Sequence, residues 1–166
     1  MNKSISIAFV LCAMLFASAA SGQQKLSKKQ LVGYWTYVSA ESVAKDGKKL
    51  PLVEGANPKG QLIFSDSRFT LVIIAEYPKL ASNDRLKTTP EENKAAAHAV
   101  LTYYGTYSLN EADGTLALNI ERSSFPNQNG GTFKRTIKTL TADDLVYINP
   151  STLAGRVNTN VWKRAK

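Results

Sequence analysis

"GTFKRTIKTL" (residues 131–140) decides the fold class, and it contains a puzzle. Phe133, Arg135 and Ile137 alternate with Lys134, Thr136 and Lys138. A period of two separates the two faces of a β-strand, one toward a core and one toward water. Two residues of the apolar set are hydrophobic and the third is Arg135. A guanidinium facing an interior costs several kcal/mol unless it is paired. It therefore requires a carboxylate, a set of carbonyls, a ligand anion or water. Three placements stay open: an internal salt bridge to Glu121 or Glu76, contact with the acidic or carbonyl end of a bound molecule, or a bulge that turns the side chain outward.

The neighbouring sequence repeats the strand pattern. "LVGYWTYVSAES", "GQLIFSD", "RFTLVIIAE", "GTYSLN", "TLALNIERSS", "DLVYINP" and "RVNTNVWKR" are short β-patterned segments. Turn residues separate them at Asp46-Gly47, Asn57-Pro58, Asp66-Ser67, Asp113-Gly114, 127–131 and Asn149-Pro150. Eight short strands joined mostly by tight turns predict an all-β, up-and-down antiparallel barrel or a sandwich. One helix interrupts them. Thr89-Pro90-Glu91-Glu92 combines an N-cap, a proline at the first helical position and a capping-box glutamate, so a helix is expected over 90–102. The polar stretch 77–89 before it is longer than a hairpin needs.

Residues 1–22 read as a secretory signal peptide. Lys3 precedes an apolar run, Ile5 to Phe16, that is too short to span a membrane, and small residues follow at Ala17 to Ala20. Cleavage after Ala19 or after Gly22 satisfies the pattern. The exported chain, residues 23–166, is then one domain, periplasmic or secreted, with no stable membrane insertion. The only cysteine, Cys12, lies in the leader, so the domain is held by its core without disulfides. The formal net charge is +8, one unit of which leaves with Lys3. Its cations are scattered and do not interleave with aromatic residues, which argues against a nucleic-acid surface.

Taken together, these blocks resemble the bacterial lipocalin-like domain family, a relative of the lipocalins within the calycin group. Leu31-Val32-Gly33-Tyr34-Trp35 with Ser39 is similar to its opening Gly-x-Trp strand, and 58–65 to its second strand. "ASNDRLKTTPEE" (81–92) resembles the loop and helix entry, and Tyr103-x-Gly105-x-Tyr107 the strand that follows. Ser123, Phe125-Pro126-Asn127, Gly130 and Arg135 match the central hairpin, and Val161-Trp162-Lys163-Arg164 the last strand. Two departures stand out: Gln128 where many relatives carry Trp, and Leu118 where some place a polar side chain. The resemblance implies a closed eight-stranded antiparallel barrel with one short helix capping the mouth. It also implies a structural trio at one end, Gly33, Trp35 and a cation against the indole, Arg164 or Lys163.

Such a barrel is wide enough for packed side chains or one small ligand. Parity places Tyr37 on the face of Trp35, groups Tyr103, Gly105 and Tyr107, and carries Arg122 inward with Leu116, Leu118 and Ile120. Tyr37, Tyr103, Tyr107, Arg122 and Arg135 are therefore the candidate ligand-binding residues, with Gly105 as possible space between two tyrosines. His98 lacks the companions of a metal or triad site and is expected at the surface or rim. No catalytic or metal-binding residues and no cofactor are assigned. The function expected is binding, by a monomer, of a small hydrophobic or amphipathic molecule with or without an anionic end. An isomerase or cyclase using Glu76 or Glu121, or a packed barrel serving as an envelope interaction module, are the alternatives.

Overall fold

A computed structural model describes residues 26–166 apart from 54, 56, 153 and 154. The expected leader lies outside the described residues. A short helix, Lys28–Leu31 (α1), precedes strands Gly33–Val43 (β1), Lys49–Leu50 (β2), Lys59–Phe64 (β3) and Arg68–Ile74 (β4). Helix Pro90–Ala99 (α2) leads directly into Val100–Asn110 (β5), Thr115–Ser123 (β6), Thr132–Leu140 (β7), Asp144–Asn149 (β8) and Val157–Arg164 (β9). β1 pairs antiparallel with β3, each strand from β3 onward pairs antiparallel with the next, and β1 pairs with β9 from Trp35 opposite Arg164 to Val43 opposite Val157. That last ladder closes eight strands into a barrel, which leaves no long edge exposed. The two-residue β2 is an added hairpin partner of β1.

Alternation along each strand fills one end of the barrel. Trp35, Phe64, Phe69, Leu116, Leu118, Leu145 and Trp162 are buried there or along the axis. Their apolar area is the main stabilising term, at about 25 cal/mol per Å² buried. Helix α1 is nucleated by a capping box formed by Ser27 and Gln30. Helix α1 closes the packed end: the Lys28 amide donates to Glu111 at 2.7 Å and Leu31 is fully buried. At the other end α2 stops at Ala99, shorter than expected, and the chain continues as β5. The helix therefore lies at the rim of the mouth, capped by Thr89 and Glu92 as its sequence requires.

Three register shifts re-aim side chains. They fall between Tyr37 and Ser39 on β1, opposite Tyr104/Gly105 on β6, and between Ile137 and Thr139 on β7. Each inserts an extra residue and reverses the parity beyond it. The second matters most for the candidate site, because it makes Glu121 the extra residue and pairs Arg122 with the exposed Tyr104.

Candidate functional site

A cavity of about 510 Å³ opens at the α2 end of the barrel. Leu71, Ile73, Leu101, Tyr103 and Phe133 supply apolar and aromatic wall from β4, β5 and β7, and Phe125 stands at the rim, half exposed. Ala97 and His98 of α2 contribute to the mouth, so His98 is the rim histidine its sequence context suggested. Gln128 also lies at the rim, accepting a hydrogen bond from Ser123 Oγ at 2.7 Å.

The opposite wall is polar. Arg135 is only 6% exposed, and its Nη1 donates to the Lys134 carbonyl at 3.0 Å and to Asn149 Oδ1 at 2.9 Å. Register explains the second bond: Thr136 faces Ile148, which sets Arg135 and Asn149 side by side on the inner face. Asn149 in turn faces Asn158 on β9, and Asn158 faces Ser42 on β1. Four polar side chains thus form one continuous inward row across β7, β8, β9 and β1. Asn160 lies two residues further along β9 and also lines the cavity. Among the described residues, Asn158 Oδ1 and Ser42 Oγ are buried without a hydrogen-bond partner. Leaving such atoms unsatisfied costs about 1–3 kcal/mol each.

Neither carboxylate first considered as a partner for Arg135 approaches it. Glu121, on the outer surface, pairs with Arg68 at 2.6 Å, and Glu76 accepts from Asn57 Nδ2 at 3.0 Å, also outside. Among the described residues no aspartate or glutamate lines the cavity. Tyr147 completes the floor: its burial pushes the phenol pKa well above the ordinary tyrosine range, against the opposing pull of Arg135. A phenol that stays neutral beside a guanidinium leaves the positive charge uncompensated.

The sequence candidates divide accordingly. Arg135 and Tyr103 line the cavity. Tyr107 does not: it belongs to the packed end, donating to the Ser65 carbonyl at 2.7 Å with Lys28 Nζ 4.9 Å from its ring centre. Tyr37 packs edge-on against Trp162 at 5.2 Å and borders a separate, shallow groove on the outer face. Arg122 is a correction with a clear cause, since the bulge at Glu121 turns it outward and its Nη1 donates to the Glu121 carbonyl at 2.8 Å. Gly105 opens no room for a ligand. A Cβ there would stand 1.8 Å from the Asn119 carbonyl, so the space is already taken by the neighbouring strand.

At the packed end Arg164, and not Lys163, lies over Trp35, 4.1 Å from the ring centre. Its guanidinium also donates to the carbonyls of Gln30, Val32 and Ala142. Trp35 Nε1 donates to the Leu31 carbonyl at 2.8 Å. Gly33, at φ +127°, passes so close that a Cβ would meet Arg164 Nη1 at 2.7 Å. This cluster ties α1, β1 and β9 together and contributes no wall to the cavity.

Asn149, Asn158, Asn160 and Tyr147 were not among the sequence candidates. On β9 the signal was present but masked: Asn158 and Asn160 share the parity of Trp162, while Val157 and Val161 on the other parity imitate a core face.

Comparison with known families matches residues 32–165 to the lipocalin-like domain. Among solved structures the chain is similar to a lipocalin-like protein from Bacteroides uniformis, with 11% identity, a TM-score of 0.44, and 82% of this chain and 99% of that one covered. It is also similar to bovine odorant-binding protein in complex with a selenium-containing odorant, with 15% identity, a TM-score of 0.44, and 89% and 78% covered. A de novo designed fluorescence-activating β-barrel aligns at 12% identity with a TM-score of 0.41, over 82% of this chain and 95% of that one. A search of curated proteins returned no matching sequence.

Proposed function

The chain belongs to the lipocalin-like domain family, and from that premise we propose that it holds one small, largely apolar molecule in the barrel and releases it unchanged. The observation that carries this reading is the cavity itself, an apolar wall facing a buried Arg135 that no carboxylate among the described residues neutralises. Its volume, about 510 Å³, falls inside the range of small-molecule sites, about 300–1,000 Å³. The ligand in this proposal is amphipathic, with its acidic or carbonyl end on Arg135 and its apolar body against Leu71, Ile73, Leu101 and Phe133. Binding is favoured over catalysis because Glu76 and Glu121, the carboxylates an isomerase would use to move protons, are both engaged outside the cavity.

The same proposal includes export, on the strength of Lys3, the apolar run 5–16 and the small residues 17–20. Native mass spectrometry of protein recovered from the producing cells tests both parts. The expected spectrum shows a chain beginning at residue 20 or 23, carrying a small molecule that organic denaturation removes. Arg135→Ala should arrive without it. A chain retaining Met1 would overturn export. Unchanged masses before and after denaturation, even with dodecanoate supplied, would overturn the binding role.

A further inference from the structure

The polar row says more about the ligand than the single arginine does. Arg135 Nη1 donates to Asn149 Oδ1, and that bond fixes the Asn149 carboxamide with its Nδ2 donor end engaged by no acceptor among the described residues. Arg135 and Asn149 therefore present adjacent donors, the arrangement that suits a carboxylate. The next position along the row is different. Asn158 faces Asn149 on one side and Ser42 on the other, and its Oδ1 is buried with no partner among the described residues. A carboxamide torsion is broad and two-fold, so Asn158 can offer either its donor or its acceptor end to the cavity. Asn160 adds a second carboxamide to the same strand face. A group complementary to carboxamides presents a donor and an acceptor together, as a secondary amide does.

Resting on the binding role proposed above, we infer that the ligand is an N-acylated amino acid: carboxylate on Arg135 and Asn149, amide on Asn158 and Asn160, acyl chain toward the mouth. The apolar wall of Leu71, Ile73 and Leu101 faces the row across the barrel and takes the chain. A plain fatty acid would satisfy Arg135 but would place methylenes against two carboxamides, stripping them of water without replacing their hydrogen bonds.

Calorimetric titration with two compounds of equal chain length decides the matter. N-lauroylglycine and pentadecanoate differ only in that an amide replaces two methylenes. In a cavity that ignores the amide, pentadecanoate binds more tightly, because the amide loses its hydration for nothing. The polar row reverses that order, with N-lauroylglycine about tenfold tighter, the equivalent of one to two net hydrogen bonds. Asn158→Leu should return the preference to pentadecanoate, weakening N-lauroylglycine and tightening pentadecanoate, which then lays methylenes against hydrocarbon instead of a stripped carboxamide; Asn160→Leu should weaken the preference in the same direction. Both variants are melted first to establish that they fold, and the wild-type comparison stands without them. Equal or weaker binding of N-lauroylglycine by the wild-type protein overturns the amide assignment and leaves the binding role intact. Failure of both compounds to bind removes both.

Discussion

Tyr147 is buried inside the polar wall, its ring stacked on Trp162 at a centroid distance of 6.4 Å. Burial is the larger influence on its phenol and disfavours the phenolate, outweighing the nearby guanidinium of Arg135. The folded protein therefore keeps this proton when the unfolded chain, with an ordinary tyrosine value of about 10, loses it. Below that pH both states are protonated and Tyr147 adds no pH dependence; above it the unfolded state binds fewer protons and stability falls as pH rises. Urea unfolding should accordingly be flat in this respect from about pH 7 to 9 and decline toward about pH 11. Tyr147→Phe should show a shallower decline over the same window. An identical decline in the two proteins would assign the effect to other groups, among them Tyr107, which burial also raises. Residue by residue, parity predicted the inward turn of Arg135, since Phe133 and Ile137 share its face. It failed for Arg122 because one inserted residue at Glu121 reverses the face, and nothing in "NIERSS" marks the insertion. Asn158 and Asn160 share the parity of Trp162, but the valines on the other face of β9 compete as the apolar side, so the pattern alone does not single them out.

At the scale of elements, the strands were legible because turn residues punctuate them, and the start of α2 because its capping box is local. The end of α2 was not. Val100, Leu101 and Thr102 suit either a helix continuation or a strand, and the barrel resolves the ambiguity by pairing them with Ile74, Ile73 and Val72 of β4. Strand pairing of this kind is a long-range constraint that no local pattern carries. The bulge between β5 and β6 is likewise a property of two strands, and Gly105 is the residue that permits it. Any Cβ at 105 would press into the Asn119 carbonyl, which is backbone and cannot swing aside. Gly105→Ala should therefore destabilise the protein by about 3 kcal/mol or more, well beyond the cost of an ordinary glycine replacement. The shift in the urea midpoint measures it. A change under about 1 kcal/mol would mean that the β5–β6 register can slide to make room, and with it the orientation of Arg122.

Across the whole molecule, the barrel is built with two unlike ends. Trp35, Arg164 and α1 lock one end, where the Trp35 indole N–H and the Arg164 guanidinium donate to backbone carbonyls. The other end keeps a cation and two oxygens, Asn158 Oδ1 and Ser42 Oγ, that have no partner among the described residues, an arrangement that a barrel selected only for stability would replace with hydrocarbon. Exchanging a whole buried ion pair for well-packed apolar residues is often neutral or stabilising by about 1–4 kcal/mol, and removing Arg135 likewise leaves no partner charge behind among the described residues. Arg135→Met fills the same space with a flexible apolar chain and removes a charge that no carboxylate among the described residues offsets. In the absence of ligand it should raise the unfolding free energy by about 1–2 kcal/mol, while pentadecanoate binding falls by at least about tenfold. Stability and affinity moving in opposite directions would identify Arg135 as a residue retained for what it binds. If Arg135→Met instead loses about 3 kcal/mol or more, the guanidinium is holding β7 to β8 through Lys134 and Asn149, and its place in the barrel wall is architectural.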